Sequence, residues 1–239
     1  MGGDGRVEAG TVRESMVPLS QHESAPRLAG TRLLGKSLRT ILWLYALVAL
    51  LLALVGAALL VSQGLNLIDA RLAERLGHWV FLDLETVLRV AILPIALLWL
   101  CWIVRIGTAV CGKEGAESVG AYFIPVDNLI RPLLDIRAMW RAAEANAQHP
   151  PALLLFWWVH WLAFLLFPPW GGKYLWLFYS GVYGIREGGW FLVVRCVLGA
   201  TSAYLAAMVV HRLTLMTVNN AIYPLSDSLS PFGDEAGSI

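Results

Sequence analysis

The stretch TILWLYALVALLLALVGAALLVSQGLNLI, Thr40 to Ile68, decides the fold. It runs for 29 residues without a charge, and Leu, Ala and Val dominate it. A helix needs about 20 apolar residues to cross the ~30 Å hydrocarbon core of a bilayer, so this run is long enough to span. No water-soluble domain requires an uncharged run of that length. The chain therefore reads as an integral membrane protein.

The composition agrees. Of 239 residues, 58% are hydrophobic and 15% charged, against about 45–50% and about 25% in a soluble domain. Eleven Trp and seven Tyr suit amphipathic rings that settle at membrane interfaces. A net charge of +1 offers no basic field for nucleic acid, and no zinc-finger spacing or basic helix supplies one. Cys101, Cys111 and Cys196 read as small buried hydrophobes. Their spacing fits neither a metal site nor a disulfide framework. No cleavable signal peptide is expected, because the first apolar run exceeds the roughly 7–15 residues of a signal core.

Outward from the deciding stretch, the pattern predicts an all-α, four-span membrane domain over residues 40–224. The spans are placed at about 40–62, 85–106, 151–167 and 189–211, with Pro94 expected to kink the second. Residues 1–39 read as a mostly disordered cytoplasmic tail and 225–239 as a disordered C-terminal tail. Two amphipathic interfacial helices are predicted. In the first, about 65–80, Leu65, Ile68, Leu72, Leu76 and Trp79 share one face, opposite Asp69, Arg71, Glu74, Arg75 and His78. The second covers about 122–146. Gly107 to Gly120 reads as a polar loop, and 173–187 as an interfacial or re-entrant piece. Lys and Arg set the orientation. With the N-terminus inside, the inner segments carry twelve and the outer loops four, with Arg89 and Arg195 in spans. Both termini are therefore expected in the cytoplasm. No internal repeat supports an inverted-repeat transporter.

The most distinctive string is YFIPVDNLIRPLLDIRAMWRA, Tyr122 to Ala142. Proline is tolerated in a first helical turn, so Pro125 and Pro132 are each expected to start a short helix. Arg131 and Asp135, four apart, are spaced to pair. Arg137 and Arg141 are spaced to meet lipid phosphates. With Trp99, Trp102 and Arg105 upstream and Trp157–Trp158 downstream, this string resembles the bacterial multi-pass membrane-protein family catalogued as domain-of-unknown-function family 4328. Phe123, Pro125, Asn128, Leu129, Pro132, Trp140 and Arg141 carry the resemblance, which covers about Val87 to Leu166 well and the last span loosely. The chain departs from the family pattern at Thr108, where an Asn is usual, and in lacking a Ser-Pro before the motif. The resemblance implies a topology and a bacterial membrane, and supplies no reaction.

The candidate ligand or lipid residues are Asn128, Arg131, Asp135, Arg137, Arg141, Arg195 and His160. Against a functional role stands a plainer one: a surface helix whose polar groups meet headgroups. Arg195 lies about six residues inside the fourth span, or about 9 Å of helix. A charge at that depth is costly, so it must snorkel, pair or serve a ligand. Glu85 and Glu187 are its expected partners. His160, mid-span, reads as a buried hydrogen-bond donor, or as a ligand if it converges with Arg195, Thr201, Ser202 and Tyr204. No catalytic residue, cofactor or metal site is assigned, because neither a zinc-protease, phosphate-loop nor nucleophile-elbow motif occurs. The leading expectation is a non-enzymatic scaffold, sensor or partner protein of the bacterial inner membrane. It would meet lipids and a membrane protein or its own copies, and no nucleic acid. The alternatives are a small oligomeric transporter or channel, and a membrane enzyme acting on lipid.

Overall fold

The computed structural model describes residues 21–69, 71–72, 75–76, 79, 85–111, 127–144, 151–166 and 184–222. Five helices hold most of them: α1 (Gln21–Gly64), α2 (Glu85–Cys111), α3 (Asp127–Ala143), α4 (Ala152–Leu166) and α5 (Gly184–Ile222). No strand occurs among the described residues, so the fold is all-α. Three helices are long and apolar enough to cross a membrane, over Ala29–Gly64, Thr86–Val110 and Gly189–Asn219. At 1.5 Å per residue, the 15 residues of α4 reach about 22 Å, less than a bilayer core.

The helix bounds differ from the sequence expectation, and each difference has a local cause. α1 begins at Gln21, inside the segment read as a disordered tail. Its early turns are amphipathic: Thr31, Gly35 and Leu38 are buried while Arg32 and Lys36 are exposed. Hydropathy alone scores such turns as polar, although one face is core. The helix ends in a Schellman arrangement. Leu67 N–H donates to Ser62 O at 2.9 Å and Asn66 N–H to Gln63 O at 3.1 Å, with Asn66 at φ 54°. Asn tolerates this left-handed conformation better than most residues. The cap makes 65–69 a turn, where an amphipathic helix was expected to start. Of that helix only 71–72, 75–76 and 79 are otherwise described. α2 continues to Cys111, past the Gly107 at which a loop was expected. Ile106 and Gly107 are buried and Val110 packs on the core, so that turn has an apolar face to bury. α3 is one helix with Pro132 inside it, not two. Proline there removes one backbone donor near the N-terminal turn without ending the helix. The C-terminal tail from 225, most of the 107–120 loop and residues 173–183 lie outside the described residues.

The most extensive contact is between α1 and α5. On α5, Gly189, Val193, Cys196, Ala200, Ala203, Ala207, Val210, Thr214 and Thr217 are all buried. Their spacing alternates four and three, the 3.5-residue repeat that winds two helices left-handedly. α1 answers with Thr31, Gly35, Leu38, Leu42, Ala49, Leu52 and Gly56, all buried, and half-buried Tyr45 in the same phase. Small residues let the backbones approach, the usual means of packing helices in lipid. A Cβ on Gly189 would lie 2.6 Å from Leu60, and one on Gly35 2.5 Å from Thr214. Gly35 opposite Thr214 and Leu60 opposite Gly189 make the pair antiparallel, so the start of α1 and the end of α5 share one end of the molecule.

Aromatic rings join the remaining helices. Trp99 stacks on Trp157 at 5.5 Å and tilts against Trp102 at 5.2 Å, tying α2 to α4. The fully buried Trp102 donates Nε1–H to Thr214 Oγ1 at 3.0 Å, tying α2 to α5. Gly30 meets Arg105, whereas Ala49 clusters with Leu88 and half-buried Tyr45 packs against them, so α2 runs opposite to α1. Trp157 meets Trp99 and Phe164 meets Gly199, so α4 runs opposite to α5. The buried residues form two clusters. The larger holds the Trp rings, Leu38, Leu213 and the apolar face of α3. The smaller holds Ala49 to Leu60, Leu88 and Val193 to Ala200. The site residues divide between these two ends.

Candidate functional site

At the α3 end, the hydrophobic pattern lays the helix across the bundle. Ile136, Met139, Trp140 and Ala143 are buried, which turns the intervening charges toward the rim. Arg131 Nε lies 3.5 Å from Asp135 Oδ1, the i,i+4 pair its spacing predicts. Arg131 is about half exposed and Asp135 largely buried, with side-chain exposures of 49% and 13%. A pair screened that far contributes at most about 1 kcal/mol. Asp135 Oδ2 and Arg137 Nε are buried without a hydrogen-bond partner among the described residues. Arg141 is exposed in the last turn of α3, where a cation complements the helix dipole. Asn128 lies in the first turn, and its side chain is outside the described set. Trp140 donates Nε1–H to Glu144 Oε2 at 2.8 Å, closing the C-terminal end of this face.

At the opposite end the chain builds a small recess. Arg195, 8% exposed, holds its guanidinium carbon 5.4 Å from the centre of the Phe164 ring, a cation–π distance. Arg89 of α2, Tyr45 and Ala49 of α1, Leu88, Ile92 and Cys196 complete the wall of a recess of about 20 Å³. Four helices thus contribute, and two of the side chains are guanidiniums. The sequence placed Arg89 within a span and marked it for no role. The signal that could have paired it with Arg195 was the matching depth of the two in adjacent spans.

The other polar span residues do not join the recess. His160 Nδ1 sits 2.8 Å from Phe156 O. Because a carbonyl only accepts, Nδ1 carries the proton there. Thr201 bonds back to Val197 O at 2.9 Å. Tyr204 meets Trp43 edge-on at 4.9 Å. The side chains of Glu85 and Glu187, expected beside Arg195, are outside the described set. Among the described residues no three His, Cys, Asp or Glu side chains gather as a metal would need. Cys196 is buried, as expected of a small hydrophobe, whereas Cys101 is exposed.

Long apolar helices packed through small-residue seams, with charges gathered at the two ends, define a multi-pass membrane protein. Its family follows from the sequence match. The model of the family described as Domain of unknown function (DUF4328) covers residues 80–215, more than half of the chain, and the protein belongs to that family. The match runs from before α2 to near the end of α5; α1 lies outside it. No curated protein and no solved structure matches the chain.

Proposed function

We propose that the protein is a non-enzymatic scaffold, sensor or partner protein of the bacterial inner membrane, with both termini cytoplasmic. The observation that carries this reading is α3. A helix with its apolar face seated in the bundle and Arg131, Arg137 and Arg141 along its flank suits a surface for anionic headgroups or for an acidic partner segment. Helix directions support four crossings. α1 and α5 are antiparallel, as are α2 and α1, so the chain must return across the membrane between α2 and α5. α4 runs in that direction and is the apolar helix available among the described residues. The excess of Lys and Arg at the end shared by Arg32, Lys36, Arg105 and Arg141 supports a cytoplasmic placement of that end.

The exposed apolar faces of α1 and α2 supply area for lipid, a partner helix or a second copy. Leu47, Leu51 and Leu54 on α1 and Val90, Leu93 and Leu97 on α2 are exposed. The test is purification of the full chain in native lipid discs, with mass spectrometry of what accompanies it. A stoichiometric membrane protein, lost when Arg137 and Arg141 are both changed to Gln, supports the reading. Turnover of a lipid by the purified chain overturns it.

A further inference from the structure

The outer face of α5 carries polar groups that the scaffold reading does not use. A second seam runs along it at the same 3.5-residue spacing as the seam against α1. Val194, Val197, Thr201, Tyr204, Met208 and Leu215 lie on it, and all are exposed or half-buried. α1 bounds one flank of this face, where Trp43 meets Tyr204. α4 bounds the other. There Phe164 meets Gly199, and half-buried His160, one turn before Phe164, stands on the same side of α4. Tyr204 and His160 share one depth. α4 and α5 run in opposite directions past the Phe164–Gly199 contact, so His160 and Tyr204 lie about 6 Å and about 7.5 Å from it toward the same end. Tyr204 is also about 10 Å of helix short of His211, which meets Arg39 at the charged end of the bundle. The Tyr204 hydroxyl makes no hydrogen bond among the described residues. His160 uses Nδ1–H on Phe156 O, which leaves Nε2 a bare acceptor, with no donor among the described residues. Hydrocarbon offers neither donor nor acceptor, so each group is costly while it faces lipid.

We propose that this face of α5 is the interface with a second copy of the chain, in a dimer whose two-fold axis stands along the membrane normal. Donor and acceptor complementarity carries the choice of partner. A two-fold axis in front of α5 keeps every residue at its own depth and exchanges left for right. The α1 flank of one copy therefore meets the α4 flank of the other, and the Tyr204 hydroxyl faces the partner subunit's His160. The phenol donates to Nε2, and the symmetry makes that bond twice. Two His160 rings could not satisfy one another, because each presents only an acceptor there. The apolar residues of the seam pack between the two bonds at coiled-coil spacing, with Thr201 nearest the axis. The exposed apolar faces of α1 and α2 make poorer interfaces. Leu47 and Leu51 on one, and Val90 and Leu93 on the other, are exposed but bring no polar group that needs a partner.

The full chain, fluorescently tagged, is reconstituted in vesicles of phosphatidylcholine and phosphatidylglycerol at falling protein-to-lipid ratio, and dimerisation is read by energy transfer between copies. The wild type is expected to dimerise. Tyr204→Phe, which removes only the hydroxyl, and His160→Leu should each weaken the dimer about ten- to a hundred-fold. The symmetry makes each substitution remove two hydrogen bonds of the modest strength usual between helices in lipid. The double variant should be no weaker than either single one, because both lose the same bonds. A second measurement leaves Tyr204 and His160 in place. With Cys101 and Cys111 changed to Ser, Thr201→Cys should cross-link to its counterpart on oxidation, whereas Leu97→Cys, on the exposed side of α2, should not. Should His160→Leu fail to fold, Tyr204→Phe and the cross-link decide. A monomer at every ratio overturns the proposal. So does a dimer that neither substitution weakens, or one that cross-links through Leu97→Cys and not through Thr201→Cys. A different membrane protein held at this face in place of a second copy also overturns it. None of these results bears on the scaffold reading, which rests on α3.

Discussion

Changing Gly35 to Ala adds a single methyl group, and its cost follows from what that methyl meets. The new Cβ would sit 2.5 Å from Thr214 Oγ1, 2.8 Å from its Cγ2 and 3.2 Å from its Cβ. Thr is short and β-branched, with few rotamers through which to retreat. Its hydroxyl also accepts the Trp102 indole N–H at 3.0 Å, and Trp102 is fully buried. Overpacking of this kind costs about 1–3 kcal/mol. If Thr214 rotates away instead, the indole N–H is left unpaired, at about the same cost. Replacing Gly by Ala within a helix returns about 1 kcal/mol. The net expectation is a loss of about 1–2 kcal/mol in unfolding free energy, measured in lipid discs by Trp emission. Two comparisons make the reasoning refutable. At Gly30 the same methyl meets only the tip of Arg105, an exposed and flexible side chain, so Gly30→Ala should be neutral or stabilising by up to about 1 kcal/mol. In a Thr214→Ala background, Oγ1 and Cγ2 are gone, and the Gly35→Ala cost should shrink by about 0.5–3 kcal/mol, the coupling typical of touching residues. A stable Gly35→Ala, or strict additivity with Thr214→Ala, would refute the close approach of α1 and α5.

Three further outcomes are expected. Trp102→Phe keeps most of the ring packing but removes the donor to Thr214, and should cost about 1–3 kcal/mol in the same unfolding measurement. Asn66→Val forces a β-branched residue to φ 54° and should lower stability by about 1–2 kcal/mol, while Asn66→Gly should not, as thermal midpoints of the two variants would reveal. Arg131→Ala breaks a half-exposed pair and should change stability by less than about 1 kcal/mol, with any effect fading as salt is raised.

Class and family were legible in one dimension because they depend on local quantities. Thr40 to Ile68 is too long and too uncharged for a soluble helix, and that holds whatever it packs against. The i,i+4 spacing of Arg131 and Asp135 likewise foretold their pair, since four residues bring side chains together on any helix. The family resemblance at Tyr122 to Ala142 rested on a string, and the match over 80–215 extends it through most of α5. Boundaries were less legible. Arg32 and Lys36 made the early turns of α1 look like a tail, because hydropathy averages over faces that packing separates. The turn at Asn66 was hidden for a related reason: an uncharged run does not mark where a cap interrupts it.

By itself, then, the sequence determined that this chain is an all-α membrane protein with an amphipathic α3, since composition and helical period act within a few turns. Only the tertiary structure decided that Gly35 faces Thr214, that Trp99 stacks on Trp157, and that Arg89 and Arg195 share one recess. Those residues are scores of positions apart, and two helices meet through register and crossing geometry that no local pattern encodes.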